Sequence, residues 1–126
     1  MADHDAGRAD AIRWLFYLSS HIGPPTVDLV FNRLAVKLRG LPGDEDAIAR
    51  GEKALPDALA IVEARLAKHQ WIVGDEFSLV ECAYGPMLNA VEGAGFGFQR
   101  FPRLKAYLDA IRARPAYQQT PRLPML

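Results

Sequence analysis

The chain has 126 residues, half of them hydrophobic, and its 15 basic and 15 acidic side chains cancel. That length suits one domain, residues 1–126, with a core large enough to fold without disulfides or a metal, and the charge balance leaves no overall field to draw it to nucleic acid or an anionic membrane. A single cysteine, Cys82, excludes an internal disulfide and fits a reducing compartment. With an acidic N-terminal MADHDAGRAD in place of a signal core, and no run near the ~20 apolar residues of a membrane span, the expectation is a soluble cytoplasmic protein.

From Gly7 to Ile22, the apolar residues Ile12, Leu15, Phe16, Leu18 and Ile22 recur at helical spacing until Gly23-Pro24-Pro25 interrupts them. Within this first helix, Trp14-Leu15-Phe16-Tyr17-Leu18 is apolar nearly all the way round, which places it against more than one surface. Val27, Val30, Phe31, Leu34 and Leu38 then resume the pattern, as a second helix or a kinked continuation, up to the turn Gly40-Leu41-Pro42-Gly43. Asp44-Glu45-Asp46 suits the positive end of a third helix, whose stripe is Ile48, Leu55, Leu59, Val62 and Leu66; Pro56 is expected to kink it.

Trp71 to Asp75 reads as an extended loop leading into FSLVECAY. Ser78 followed three residues later by Glu81 is a capping box: the Ser78 hydroxyl accepts from the Glu81 N–H and the Glu81 carboxylate from the Ser78 N–H. Phe77 before the cap is expected to staple onto Cys82 at the fourth helical position, which makes Cys82 a small buried hydrophobe. The capped helix runs from Leu79 to about Ala90 or Glu92, with a bend expected at Gly85-Pro86. GAGFGF, residues 93–98, lacks the strand before and the helix directly after that a phosphate cradle requires, and reads as a loop. The last helix starts at Pro102, turns Leu104, Tyr107, Leu108 and Ile111 inward, and stops near Arg114-Pro115. No strand pattern survives, so the expected class is all-α with five or six helices.

This order of features resembles the C-terminal helical domain of the cytosolic glutathione S-transferases. The resemblance is carried by RADAIRWLFYLSSHIGP, by ALPDALAIVEARLAKHQWIVGDEFSLVECAYGPML and by FPRLKAYLDAIRARPAY, together residues 7 to 117. Where the family's capping motif usually has Asp, this chain has Glu81. The resemblance implies that the capped helix is the centre of the fold, and that the domain supplies an electrophile pocket and a dimer surface. Phe16, Tyr17, His21 and Pro24 would form that pocket, with help from Met87 and Val91. It also implies that glutathione is gripped by an N-terminal thioredoxin-like domain. No βαβ pattern or thiol-activating residue precedes the first helix, so no catalytic residue is assigned, and glutathione is expected as co-substrate only where such a domain is supplied. The matching position for a histidine of bacterial relatives is Gly23. The expected partners are a second copy, or another protein docked through the first helix, and an apolar small molecule. The rival reading is a stand-alone helical interaction module.

Other polar candidates carry less. His4, His21 and His69 show no metal spacing, and no cysteine joins them. Arg100, Arg103, Lys105, Arg112, Arg114 and Arg122 outnumber Asp109, but no aromatic residues interleave as a base-stacking surface requires, so they read as a solvated face, with Arg114 capping carbonyls at the helix end.

Overall fold

The computed structural model describes residues 2–119, and among these every regular element is helical. In chain order they are α1 (Ala2–Tyr17), a π-helical turn (Leu18–Ile22), α2 (Gly23–Val30), a second π-helical turn (Phe31–Ala35), α3 (Val36–Leu38), α4 (Glu45–Leu66), α5 (Leu79–Gly93), α6 (Pro102–Arg112) and α7 (Pro115–Gln119). Tyr17, Gly23, Phe31 and Val36 at the junctions all keep right-handed helical backbone angles, so the pieces up to Leu38 form one rod. With that rod counted once, the described residues form five helices, in line with the all-α expectation.

The rod corrects the interruption expected at Gly23-Pro24-Pro25. A proline inside a helix removes a donor and pushes its ring at the carbonyl four residues back. Here the turn just ahead of the prolines is widened, with the Gly23 N–H reaching back five residues to the Leu18 carbonyl, and the prolines occupy the start of α2, where missing N–H groups cost least. Gly23 suits the spot, because a Cβ there would lie 3.3 Å from the Leu18 carbonyl oxygen.

The extra residue in this π turn also keeps two stripes in phase. Trp14, Leu18, Ile22, Pro25 and Leu29 are buried, whereas Ile12, Phe16, Ser20, Pro24, Val27 and Phe31 are exposed. Members of the two sets sit two residues apart, about 200° around a helix, so they occupy opposite faces of the rod.

Packing around the inward stripe follows the predicted apolar positions. Leu55, Leu59 and Val62 of α4, Val80, Tyr84, Leu88 and Val91 of α5, and Leu104, Tyr107, Leu108 and Ile111 of α6 are all buried. The rod crosses α4 closely at Gly51, where a Cβ would lie 2.7 Å from the Pro25 carbonyl oxygen. α4 runs through Pro56 without a break. The Asp44 carboxylate caps α4 by accepting from the N–H groups of Asp46 and Ala47 at 2.9 and 3.2 Å. α6 lacks a cap from its own Phe101. Its orphan N–H groups at Arg103 and Leu104 donate instead to the two carboxylate oxygens of Glu63 on α4, at 2.9 and 2.8 Å.

Candidate functional site

Two features could carry function: the buried polar cluster around the α5 cap, and the outward face of the rod. At the cap, Glu81 is fully buried. Its Oε1 accepts from the Ser78 N–H at 3.0 Å and from the Ser78 hydroxyl at 3.4 Å, and its Oε2 accepts from the Tyr107 hydroxyl at 3.0 Å. Ser78 Oγ in turn accepts from the Val80 N–H at 3.2 Å, and both halves of the capping box are formed. Burial pushes the Glu81 carboxyl above the ordinary range, against hydrogen bonds that favour its ionised form. Burial, with the Glu81 carboxylate beside it, likewise raises the Tyr107 hydroxyl. One turn on, the Tyr84 hydroxyl donates to the Trp14 carbonyl at 2.6 Å and ties α5 to the rod. A carboxyl with no exposed surface reaches no substrate; this cluster joins α5, α6 and the loop at Ser78 into one core.

Around that cluster two expectations change. Cys82 is exposed, not buried: it follows inward-facing Glu81, and the next position on α5 turns outward. The Phe77 ring packs edge-on against Trp71, with centroids 5.4 Å apart, and the Arg114 guanidinium covers it at 3.7 Å. Arg114 therefore serves as a lid on an aromatic ring, where carbonyl capping had been expected.

On the rod, Phe16 is 66% exposed, and Pro24 and His21 are exposed as well. Tyr17 is half-buried. Its hydroxyl donates to the Ala58 carbonyl of α4 at 2.5 Å, and burial raises its pKa. The His21 ring lies over the Tyr17 ring with centroids 5.0 Å apart and planes tilted by 34°. Trp14 meets the Tyr17 ring edge-on at 5.6 Å. The structure thus brings Tyr17 and His21 together, with Phe16 and Pro24 on the outer side of the same rod. Met87 is half-buried and packs on the core, and Val91 has no exposed surface because α5 turns its Val80–Tyr84–Leu88–Val91 stripe inward. Val91 therefore cannot wall a pocket that opens from this face.

Two surface grooves lie elsewhere. One of about 360 Å³ is lined by residues including Glu92, Phe96, Phe98 and Lys105, and one of about 630 Å³ by residues including Asp10, Arg13 and Arg65. Two members of the expected basic face are paired: Lys105 and Arg112 both meet Glu92, at 3.0 and 2.9 Å, and Asp109, at 3.3 and 3.6 Å. Burial alone would raise the Glu92 carboxyl, but hydrogen bonds from Lys105 and Arg112 bring it below its ordinary value. Arg122 and the His4 side chain lie outside the described residues. Among the described residues, no cluster of His, Cys, Asp and Glu could hold a metal ion, and no helix is long and apolar enough to cross a membrane.

Residues 45–110, which hold α4, the capped helix and most of α6, match the C-terminal domain of glutathione S-transferases. The chain belongs to that family. This glutathione S-transferase C-terminal domain is 34% identical to glutathione S-transferase 3 of Zea mays over 110 residues, 85% of this chain and 50% of the relative. To glutathione S-transferase F9 of Arabidopsis thaliana it is 28% identical, over 90% of this chain and 54% of the relative. The solved structure of glutathione S-transferase III in apo form aligns with a TM-score of 0.80 and 31% identity, covering 92% of this chain and 57% of the other. The chain spans about half the length of the curated relatives it matches.

Proposed function

We propose that this domain is the helical half of a glutathione transferase of the cytoplasm. In this reading it supplies the surface that holds an apolar electrophile, while a thioredoxin-like domain holds glutathione, the co-substrate, and activates its thiol. The observation that carries the reading is the outward face of the rod. Phe16, Val27 and Phe31 are 66, 62 and 51% exposed, and no Lys, Arg, Asp or Glu stands between Arg13 and Asp28. Covering one such side chain fully is worth about 1.5–3 kcal/mol, so a face of this kind is built to be covered.

The chemistry available to the face is binding and orientation. Tyr17 has the right group to activate a thiol, but its hydroxyl is committed to Ala58 and its pKa is raised, the wrong direction for a phenolate. Phe16, Pro24 and the Tyr17–His21 pair offer flat apolar surface to a ligand. Further along the rod, Val27 and Phe31 would meet a second copy of the domain or another partner.

Titration of the purified chain with N-phenyl-1-naphthylamine, a neutral apolar dye, tests the face by fluorescence. Saturable binding should weaken about tenfold in Phe16→Ser, a loss of about 1.4 kcal/mol, with the unfolding free energy unchanged. Absence of saturable binding, or an identical affinity in the variant, refutes the assignment.

A further inference from the structure

The segment from Gly95 to Phe98 forms one wall of the groove of about 360 Å³ beside the end of α5, a size within the range of small-molecule sites. Gly95, at φ +90°, closes α5: its N–H donates to the Glu92 carbonyl at 2.9 Å, and the Phe96 N–H donates to the Val91 carbonyl at 3.2 Å. From the rod, Arg33 donates to the Ala94 carbonyl at 3.1 Å while paired with Glu52, and Phe98 is buried in the core. The wall is therefore held at both ends. On it stands the half-buried Phe96 ring, edge-on to Phe98 with centroids 6.1 Å apart.

The charged residues lining the groove are Glu92 and Lys105, paired at 3.0 Å, and their further partners Arg112 and Asp109 cancel each other as well. Arg100, next to Gln99, rests over the Phe101 ring at 5.8 Å. Such a groove suits a neutral ligand. An ammonium has three N–H donors, of which Glu92 and Asp109 take two, and each Glu92 oxygen meets one cation and keeps a lone pair. A spare donor and a spare acceptor thus stand side by side, the complement of the edge of a primary carboxamide. Gln99 already lays a group of this class in the groove. A Cβ on Gly97 would lie 2.7 Å from the Gln99 Cδ and Nε2, so the carboxamide folds back on backbone that glycine leaves bare, and it bonds to none of the described residues. We propose that this groove binds a neutral planar ring bearing a primary carboxamide, with Gln99 as a cover that swings off Gly97 to admit it. The ring packs on Phe96, the amide oxygen accepts from Lys105, and the amide N–H donates to Glu92. The site owes nothing to the outer face of the rod.

Benzamide and methyl benzoate share a ring and a carbonyl, and only the amide has an N–H to donate. Each is titrated into the isotope-labelled full chain while the amide signals of Gly95 and Gly97 are followed by two-dimensional NMR. Benzamide should saturate with a Kd on the order of 1 mM, in keeping with its few atoms, and the ester should bind about tenfold more weakly. In Lys105→Met, benzamide should weaken about tenfold while the ester changes less than about twofold; in Gln99→Ala, benzamide should bind about threefold more tightly. Absence of saturable shifts with benzamide, equal affinity for the two probes, or a parallel loss of both in Lys105→Met overturns the site. Unchanged or weaker benzamide binding in Gln99→Ala overturns the covering role of Gln99.

Discussion

Two glycine-to-alanine substitutions in helices of the same molecule separate packing from backbone propensity. In Gly51→Ala the new methyl would meet the Pro25 carbonyl oxygen at 2.7 Å, and the Leu29 Cβ and backbone nitrogen at 3.2 Å. Ordinary contact begins near 3.4 Å, so the rod and α4 must part by about 0.7 Å at their crossing, or the core must deform. Two of the three struck atoms belong to backbone, which has no rotamer to change, and overpacking of this kind costs about 1–3 kcal/mol. In Gly7→Ala the new methyl meets nothing within 4 Å. Both changes gain the ~0.5–1 kcal/mol by which alanine exceeds glycine in a helix. Gly7→Ala should therefore stabilise by roughly that amount, whereas Gly51→Ala should be neutral to about 2 kcal/mol destabilising. Urea unfolding followed by circular dichroism at 222 nm reads the difference, about 1–3 kcal/mol, with propensity cancelled. Equal shifts in the two variants, or stabilisation by Gly51→Ala, would show that the close crossing at Gly51 is not a constraint.

Three other expectations follow from the polar contacts. Glu81 has a folded-state pKa raised by burial, so its contribution is fully present below its unfolded pKa and declines as pH rises through the folded value. Urea unfolding of wild type and Glu81→Gln from pH 4 to 8 should thus show the wild-type advantage shrinking with rising pH, and an advantage that grows with pH would contradict the burial argument. Glu63→Ala removes the one side chain that, among the described residues, caps the start of α6 and should cost about 1–2 kcal/mol, with hydrogen exchange at Arg103 and Leu104 accelerating more than elsewhere. Cys82, being exposed, should be modified by a disulfide-exchange reagent in the folded chain as fast as in urea; protection of more than about tenfold would restore the buried staple.

Local physics explains which features could be read in advance. The inward stripes of α4, α5 and α6 depend on helical spacing alone, and every apolar position predicted for the last helix is buried. The Ser78–Glu81 box is likewise complete within four residues. The rod was harder, because a proline pair reads as a stop and the π turn that accommodates it has no composition of its own; it becomes favourable only when both Trp14 and Leu29 are drawn into one core. Glu63 capping α6 has no local signal, since the partners stand about 40 residues apart. Cys82 was misplaced because the staple rule assumes Phe77 folds back over α5, while the ring instead rests between Trp71 and Arg114. The candidate ligand face was half legible: Phe16, Tyr17, His21 and Pro24 share the rod, but which faces of α5 are sealed depends on the long-range packing that leaves Val91 with no exposed surface.

The π turn at Leu18–Ile22 takes up one residue more than an ordinary turn while the helix continues on both sides, so residue count is forgiving within it and strict outside it. Losing one of its residues would let the turn wind as ordinary helix and keep Trp14 and Phe16 near their present bearings relative to Pro24, whereas losing one from the regularly wound stretch after Trp14 would swing everything upstream by about 100° and carry Trp14 off its seat. Swapping Ser19 and Ser20 for other small side chains would leave that alignment intact.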